Sequence, residues 1–160
     1  MAEVAEEAVE EAEHAVDEDR AVEIAVERSV NSLQDLLVDK KLPAESVKRT
    51  ASNQITIQFA NAELKPQIQK LSDEYPTFFE VDAAGSSNSI VWELRDTEIK
   101  RIKDSAINQA LETIRNRIDQ FGVREPQIVA EGEDRIVVQL PGVKDQQRAI
   151  ELVGKTALLE

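Results

Sequence analysis

The sequence predicts an α+β chain of two βαββαβ-type units in tandem behind an N-terminal helical arm. Three observations carry this. Apolar residues recur every three or four positions over 22–37 and 99–121, as in amphipathic helices. Short alternating runs such as "QITIQF" and "RIVVQL" read as strands. The two kinds of segment then follow one another in the same order in both halves of the 160 residues.

Residues 1–16, "MAEVAEEAVEEAEHAV", are almost purely Ala, Glu and Val, so propensity predicts an acidic helical arm that has only small apolar groups to bury. Asp17 can N-cap a fresh helix whose first turn carries Glu18 and Asp19, which favours a break near residue 17. From there Val22, Val26, Val30, Leu33 and Leu37 fall on one face. Beyond Pro43, "ESVKRTA" and "QITIQF" flank a Ser52-Asn53 turn as a hairpin. Leu64, Ile68 and Leu71 mark a helix that Pro66 allows to start only near Lys65. "TFFEVD" is the next strand, and "GSSNS", Gly85 to Ser89, is a loop before the strand "IVWEL".

The longest helix runs from Thr97 to Phe121 behind Asp96 as N-cap, with Ile99, Ile102, Ala106, Ala110, Ile114, Ile118 and Phe121 as its stripe. Gly122 stands where a left-handed C′ residue is wanted, and Pro126 is expected to hold Glu125 extended. The pair stops the helix. "QIVAE" and "RIVVQL" then form a hairpin around Gly132, Pro141-Gly142 turns the chain, "DQQRAIELV" is a short helix closed by Gly154, and "TALLE" is a last strand.

At an offset of 81, "NQITIQFANAE" (Asn53 to Glu63) lies over "DRIVVQLPGVK" (Asp134 to Lys144), with Gln58 on Gln139. The second half has the split βαβ order of a ferredoxin-like fold, and the first half has the same order without its opening strand. The expected division is therefore an arm over 1–16, a first ferredoxin-like half over 17–83 and a second over 84–160.

The composition narrows the chemistry. With no Cys, disulfides, thiolate nucleophiles and thiolate metal sites are excluded. The net charge is −13, and Met1 to Asp19 alone holds nine acids and no bases. Such a balance repels a phosphate backbone and argues against nucleic acid as a partner. No apolar run approaches the roughly 20 residues of a membrane span, so a soluble fragment without membrane contact of its own is expected. His14, the single histidine, sits among Glu11, Glu13, Asp17 and Glu18, which reads as a solvated acidic helix rather than a metal site. Arg115, Arg117, Asp119, Arg124 and Glu125 gather at the long helix's end. Arg115 and Asp119 are spaced to form a surface ion pair, and cations suit a last turn. No catalytic residue, cofactor-binding residue, metal ligand or cofactor is expected.

The run "RNRIDQFGVREPQIVAEGEDRIVVQLPGV", Arg115 to Val143, resembles the signature of the SecD family of bacterial protein-export membrane subunits. The likeness extends back through "DEDRAVEIAVERSVNSLQDLL" and forward through "AIELVGKTALLE", over roughly residues 17 to 160. Its structural signature here is Arg117, Asp119, Gly122, Glu125, Pro126, Gly132, Gln139, Pro141 and Gly142. The resemblance implies the beginning of a first periplasmic domain with a ferredoxin-like base, in a parent that works with SecF and the SecYEG channel. It implies a proton-driven role in drawing preproteins to the periplasmic side of the inner membrane. Such subunits enter this domain through a Gly-Gly strand, which the Ala/Glu-rich arm replaces. Two other readings compete with it, a regulatory module binding a small ligand between ferredoxin-like units and an engineered scaffold derived from such a domain.

Overall fold

The computed structural model describes residues 9–81, 87–120, 122, 125–132 and 135–141, with strand pairing alone for 9–15. The expected helix over 145–153, the expected strand over 156–160, Phe121, Arg124, Gly142, and Gly85 and Ser86 of the "GSSNS" loop lie outside the described residues. Helices and antiparallel sheets are both present, so the chain is α+β. Two compact units divide it, one of Asp19–Lys103 and one of Met1–Glu18 with Asp104–Glu160.

The first unit holds a four-stranded sheet. Helix α1 (Glu18–Asp39) begins at Glu18, and the break expected near Asp17 is there. Strands β2 (Ser46–Ala51) and β3 (Gln54–Gln58) form the expected hairpin. A short helix α2 (Lys65–Gln69) follows, flanked by 3-10 turns at Ala62–Leu64 and Lys70–Glu74. Pro66 lies in its first turn, where a missing N–H costs nothing, and Asn61 accepts the Glu63 N–H at 2.9 Å to start the preceding turn. Strands β4 (Phe78–Val81) and β5 (Ser89–Leu94) complete the sheet, in the order β2-β3-β5-β4.

Alternation decides which face of this sheet is apolar. Ile55 pairs with Trp92 and Ile57 with Ile90, so all four share one face, and each is at most 1% exposed. The α1 stripe Val22, Val26, Val30, Leu33 and Leu37 belongs to the same buried cluster, as do Ile68 and Leu71. Each fully buried aliphatic side chain contributes roughly 1.5–3 kcal/mol relative to exposure. Edge strand β2 is further tied to α1 by Arg49, whose guanidinium meets Glu23 at 3.3 Å and Glu27 at 3.2 Å. The opposite sheet face carries polar pairs beside the apolar Phe79, Val81 and Val91. Thr50 meets Thr56 at 2.9 Å, Ser46 donates to Gln58 at 2.9 Å, and Gln54 donates to Glu93 at 2.8 Å.

Helix α3 (Asp96–Gln120) is about 37 Å long at 1.5 Å per residue. It starts one residue before the expected Thr97, with the Arg95 carbonyl accepting from the Glu98 and Ile99 N–H groups at 2.9 and 3.0 Å. Ile99 and Ile102 pack on the core of the first unit, whereas residues 104–120 count with the second. That second unit has strands β1 (Val9–Ala15), β6 (Gln127–Glu131) and β7 (Arg135–Pro141), in the order β1-β7-β6. Ile136, Val138 and Leu140 of β7 are fully buried, as are Ile114 and Ile118 of α3.

Three expectations change. Residues 9–15 of the expected helical arm are a strand, pairing antiparallel with β7 from Val9↔Pro141 to Ala15↔Arg135. The physical reason is tertiary. Ala and Glu favour helix by a few tenths of a kcal/mol each, but β7 needs a partner on its free edge to satisfy its backbone groups. Second, β5, expected to open the second half, lies inside the first sheet between β3 and β4. The sequence draws a boundary at 83/84; the compact units divide at 18/19 and 103/104. Third, Glu125 has φ +53°, not an extended backbone. A following proline disfavours the right-handed helical region but leaves the left-handed one open.

Candidate functional site

The corner after α3 is the site the sequence singles out. Arg117 is half-buried in the last turn of the helix and Asp119 is exposed beside it. The Gly122 N–H donates to the Asp119 carbonyl at 3.1 Å, and Gly122 itself has φ +70°. No atom lies within 4 Å of where a Cβ would stand on Gly122, so backbone conformation rather than space asks for glycine. Glu125 is exposed at φ +53° and Pro126 is half-buried. Gly132, with φ +73°, follows β6, Gln139 pairs with Gln127, and Pro141 ends β7 opposite Val9. Eight of the nine signature residues thus occupy one helix end, one hairpin and one strand end. Gly142 lies outside the described residues.

Arg115 and Asp119 are both exposed, and no ion pair joins them. Among the described residues no three His, Cys, Asp or Glu side chains gather as metal ligands. Two groups elsewhere are electrostatically tuned. A double hydrogen bond from Arg101 holds the Glu98 carboxyl below its ordinary value, with burial opposing it and the Arg101 charge adding to it. Burial raises Tyr75, with the Glu74 and Asp35 charges adding to it; its ring lies 5.9 Å from that of Trp92.

Sequence reasoning missed a groove at the C-terminal end of α1. The helix closes with the Lys41 N–H donating to the Val38 carbonyl at 3.0 Å and the Leu42 N–H donating to the Leu37 carbonyl at 2.9 Å. This is the Schellman pairing, and its hydrophobic contact joins buried Leu37 and Leu42. The C′ position of that motif favours glycine, yet it holds Lys41 at φ +57°. Past the cap the chain turns through Pro43 and Ala44 into β2, where the Gln34 amide donates to the Val47 carbonyl at 3.2 Å. The result is a largely apolar groove of about 470 Å³ lined by Gln34, Leu37, Val38, Lys41, Leu42, Pro43, Ala44 and Val47. Val38 is 77% exposed. The readable signal is "LLVDKKLP": a helix end with leucines five residues apart and no glycine between them.

Comparison with known proteins gives the corner a context. The family model described as the P1 domain, N-terminal part, of the protein translocase subunit SecDF matches residues 107–160, which include the whole corner. The protein translocase subunit SecD of Syntrophobacter fumaroxidans is 42% identical over 149 residues, covering 91% of this chain and 28% of that protein. The SecD subunit of Calditerrivibrio nitroreducens is 36% identical over 146 residues, 91% of this chain and 28% of its own. That of Escherichia coli K12 is 34% identical over 146 residues, 91% of this chain and 23% of its own. The chain therefore spans about a quarter of the length of these curated relatives. No solved structure matches it. No helix among the described residues is long and apolar enough to cross a membrane.

Proposed function

This chain is a SecD relative across 91% of its length, and from that premise we propose that it acts in protein export as a non-catalytic interaction and mechanical part of a SecD-type subunit. The observation that carries the reading is the 42% identity to a translocase subunit, extending over both compact units rather than one motif. In this reading the domain stands on the periplasmic side of the inner membrane, beside SecF and the SecYEG channel. Proton-driven work in the parent draws a preprotein past it. The signature residues from Arg117 to Gly142 act as a mount: two left-handed residues and a proline fix how β6 leaves α3.

The architecture proposed with this role is a pair of ferredoxin-like units that have exchanged opening strands. The order β2-β3-β5-β4 is that of a ferredoxin-like sheet if β5 stands as the opening strand, and β6-β7-β1 repeats it with β1 in that place. The offset between "NQITIQF" and "DRIVVQL" supports the same equivalence, since β3 and β7 then hold matching positions. A regulatory module for a small ligand would need several convergent polar groups in an enclosed pocket. The described groove is open and has a single charge, which favours a surface role.

Photocrosslinking tests the proposal. With a crosslinker placed on exposed positions of this domain in a full-length SecD subunit, a preprotein arrested during export is expected to be captured. Absence of crosslinks from every exposed position, with export proceeding normally, contradicts the proposal.

A further inference from the structure

We infer that the groove at the end of α1 binds a segment of unfolded polypeptide that carries an aliphatic side chain next to a carboxylate. The inference rests on the export reading only for the source of that polypeptide. Three observations on the groove lead to it. Its buried lining is aliphatic, from Leu37, Leu42 and Val47, and Val38 belongs to the same lining with 77% of its surface exposed. A lone exposed valine is ordinary on a protein surface; here it adjoins a concave, largely apolar lining, which extends the apolar contact open to a ligand. Lys41 is the only charged residue in the lining, and among the described residues it makes no ion pair. Its neighbour Lys40, by contrast, is held by Glu74 at 2.8 Å.

The conformation of Lys41 sharpens the argument. It occupies the left-handed C′ position at φ +57°, where glycine is unstrained and an L side chain is disfavoured. A side chain kept at a position where its absence would relax the backbone points from strain to use. What it offers the groove is an ammonium on a flexible stem, which selects a carboxylate. The net charge of −13 does not prevent this. At physiological ionic strength fields are screened within about 8 Å, so the groove's own cation decides local complementarity. Strand pairing of the bound segment with β2 is not part of the inference. The Val47 carbonyl already accepts the Gln34 amide, and β2 carries Lys48, Arg49 and a register shift, all features that discourage edge pairing.

The test uses the whole 160-residue chain and fluorescence anisotropy of two labelled unstructured peptides, one alternating leucine with aspartate and one alternating leucine with lysine. The acidic peptide is expected to bind more tightly, with affinity falling as salt rises. Lys41→Gly is expected to weaken it roughly two- to fivefold, as removal of one partly exposed charge pair does, and Lys41→Arg to retain it. Lys41→Gly is also expected to melt at or above the wild-type temperature, so loss of binding cannot be loss of fold. Val38→Asp is expected to abolish binding of the acidic peptide. Equal binding of both peptides, or acidic binding unchanged in Lys41→Gly, overturns the inference. So does sedimentation showing a dimer that Val38→Asp dissociates, since the groove would then be covered by a second copy. Failure here with preprotein crosslinks intact sinks the groove alone; peptide binding without crosslinks sinks the export reading alone.

Discussion

Gly122 and Lys41 both lie in the left-handed region, at φ +70° and +57°, each just past the end of a helix, yet one is glycine and the other is not. Substitution is therefore expected to act in opposite directions at the two positions. Gly122→Val should cost more than about 1 kcal/mol, Gly122→Ala about 1, and Gly122→Asn less than either, read from the midpoint of denaturant unfolding. Because nothing lies within 4 Å of a Cβ there, crowding cannot be the cause. Titration also acts at this scale. Burial raises the Tyr75 phenol, so the folded chain keeps it neutral to higher pH than the unfolded chain does. Its contribution is complete below the ordinary phenol value of about 10 and is lost as pH rises through the folded value. It is the only tyrosine, so ultraviolet titration reads it directly, and Tyr75→Phe is expected to flatten the alkaline fall in melting temperature. Glu98 has the reverse sign: its depressed carboxyl stabilises above the ordinary carboxylate range and loses that contribution as pH falls through the folded value. Glu98→Gln should lower the melting temperature slightly at neutral pH and not at all in acid.

Among the elements, α1, α3 and β3 are legible from sequence because their periodicity is local: the stripes Val22 to Leu37 and Ala106 to Ile118 are buried as the 3.6-residue period implies. Strand β1 is not legible. Its Ala and Glu residues favour helix, and the partner that makes it a strand, β7, lies more than a hundred residues away in the chain. Alternation in "IVWEL" gives a buried face but not a neighbour, so the place of β5 between β3 and β4 is equally hidden. The corner was legible in Gly122 and not in Glu125, because Pro126 excludes one backbone region without choosing between the others. Pairing of β1 makes a sharp prediction. In an antiparallel ladder one of the adjacent residues Ala12 and Glu13 donates its N–H to β7, so of Ala12→Pro and Glu13→Pro one is expected to cost more than about 1 kcal/mol while raising amide exchange along β7. Unchanged protection of β7 would mean that β1 is dispensable. Ile114→Ala, at a fully buried position of α3, is expected to cost about 2–5 kcal/mol in the same unfolding measurement.

At the scale of the whole molecule, sequence and structure divide the work. Likeness to translocase subunits runs across both compact units, and the corner is one part of that likeness. The groove at the end of α1, found only in the structure, is the largely apolar surface for which we infer a polypeptide ligand. The most direct measurement is the export rate of a secreted reporter in cells whose SecD-type subunit carries or lacks the segment 17–160, with the subunit present at equal levels. Slowed export on deletion, recovered when the segment is restored, is the result predicted; export at the undiminished rate without it would contradict the account.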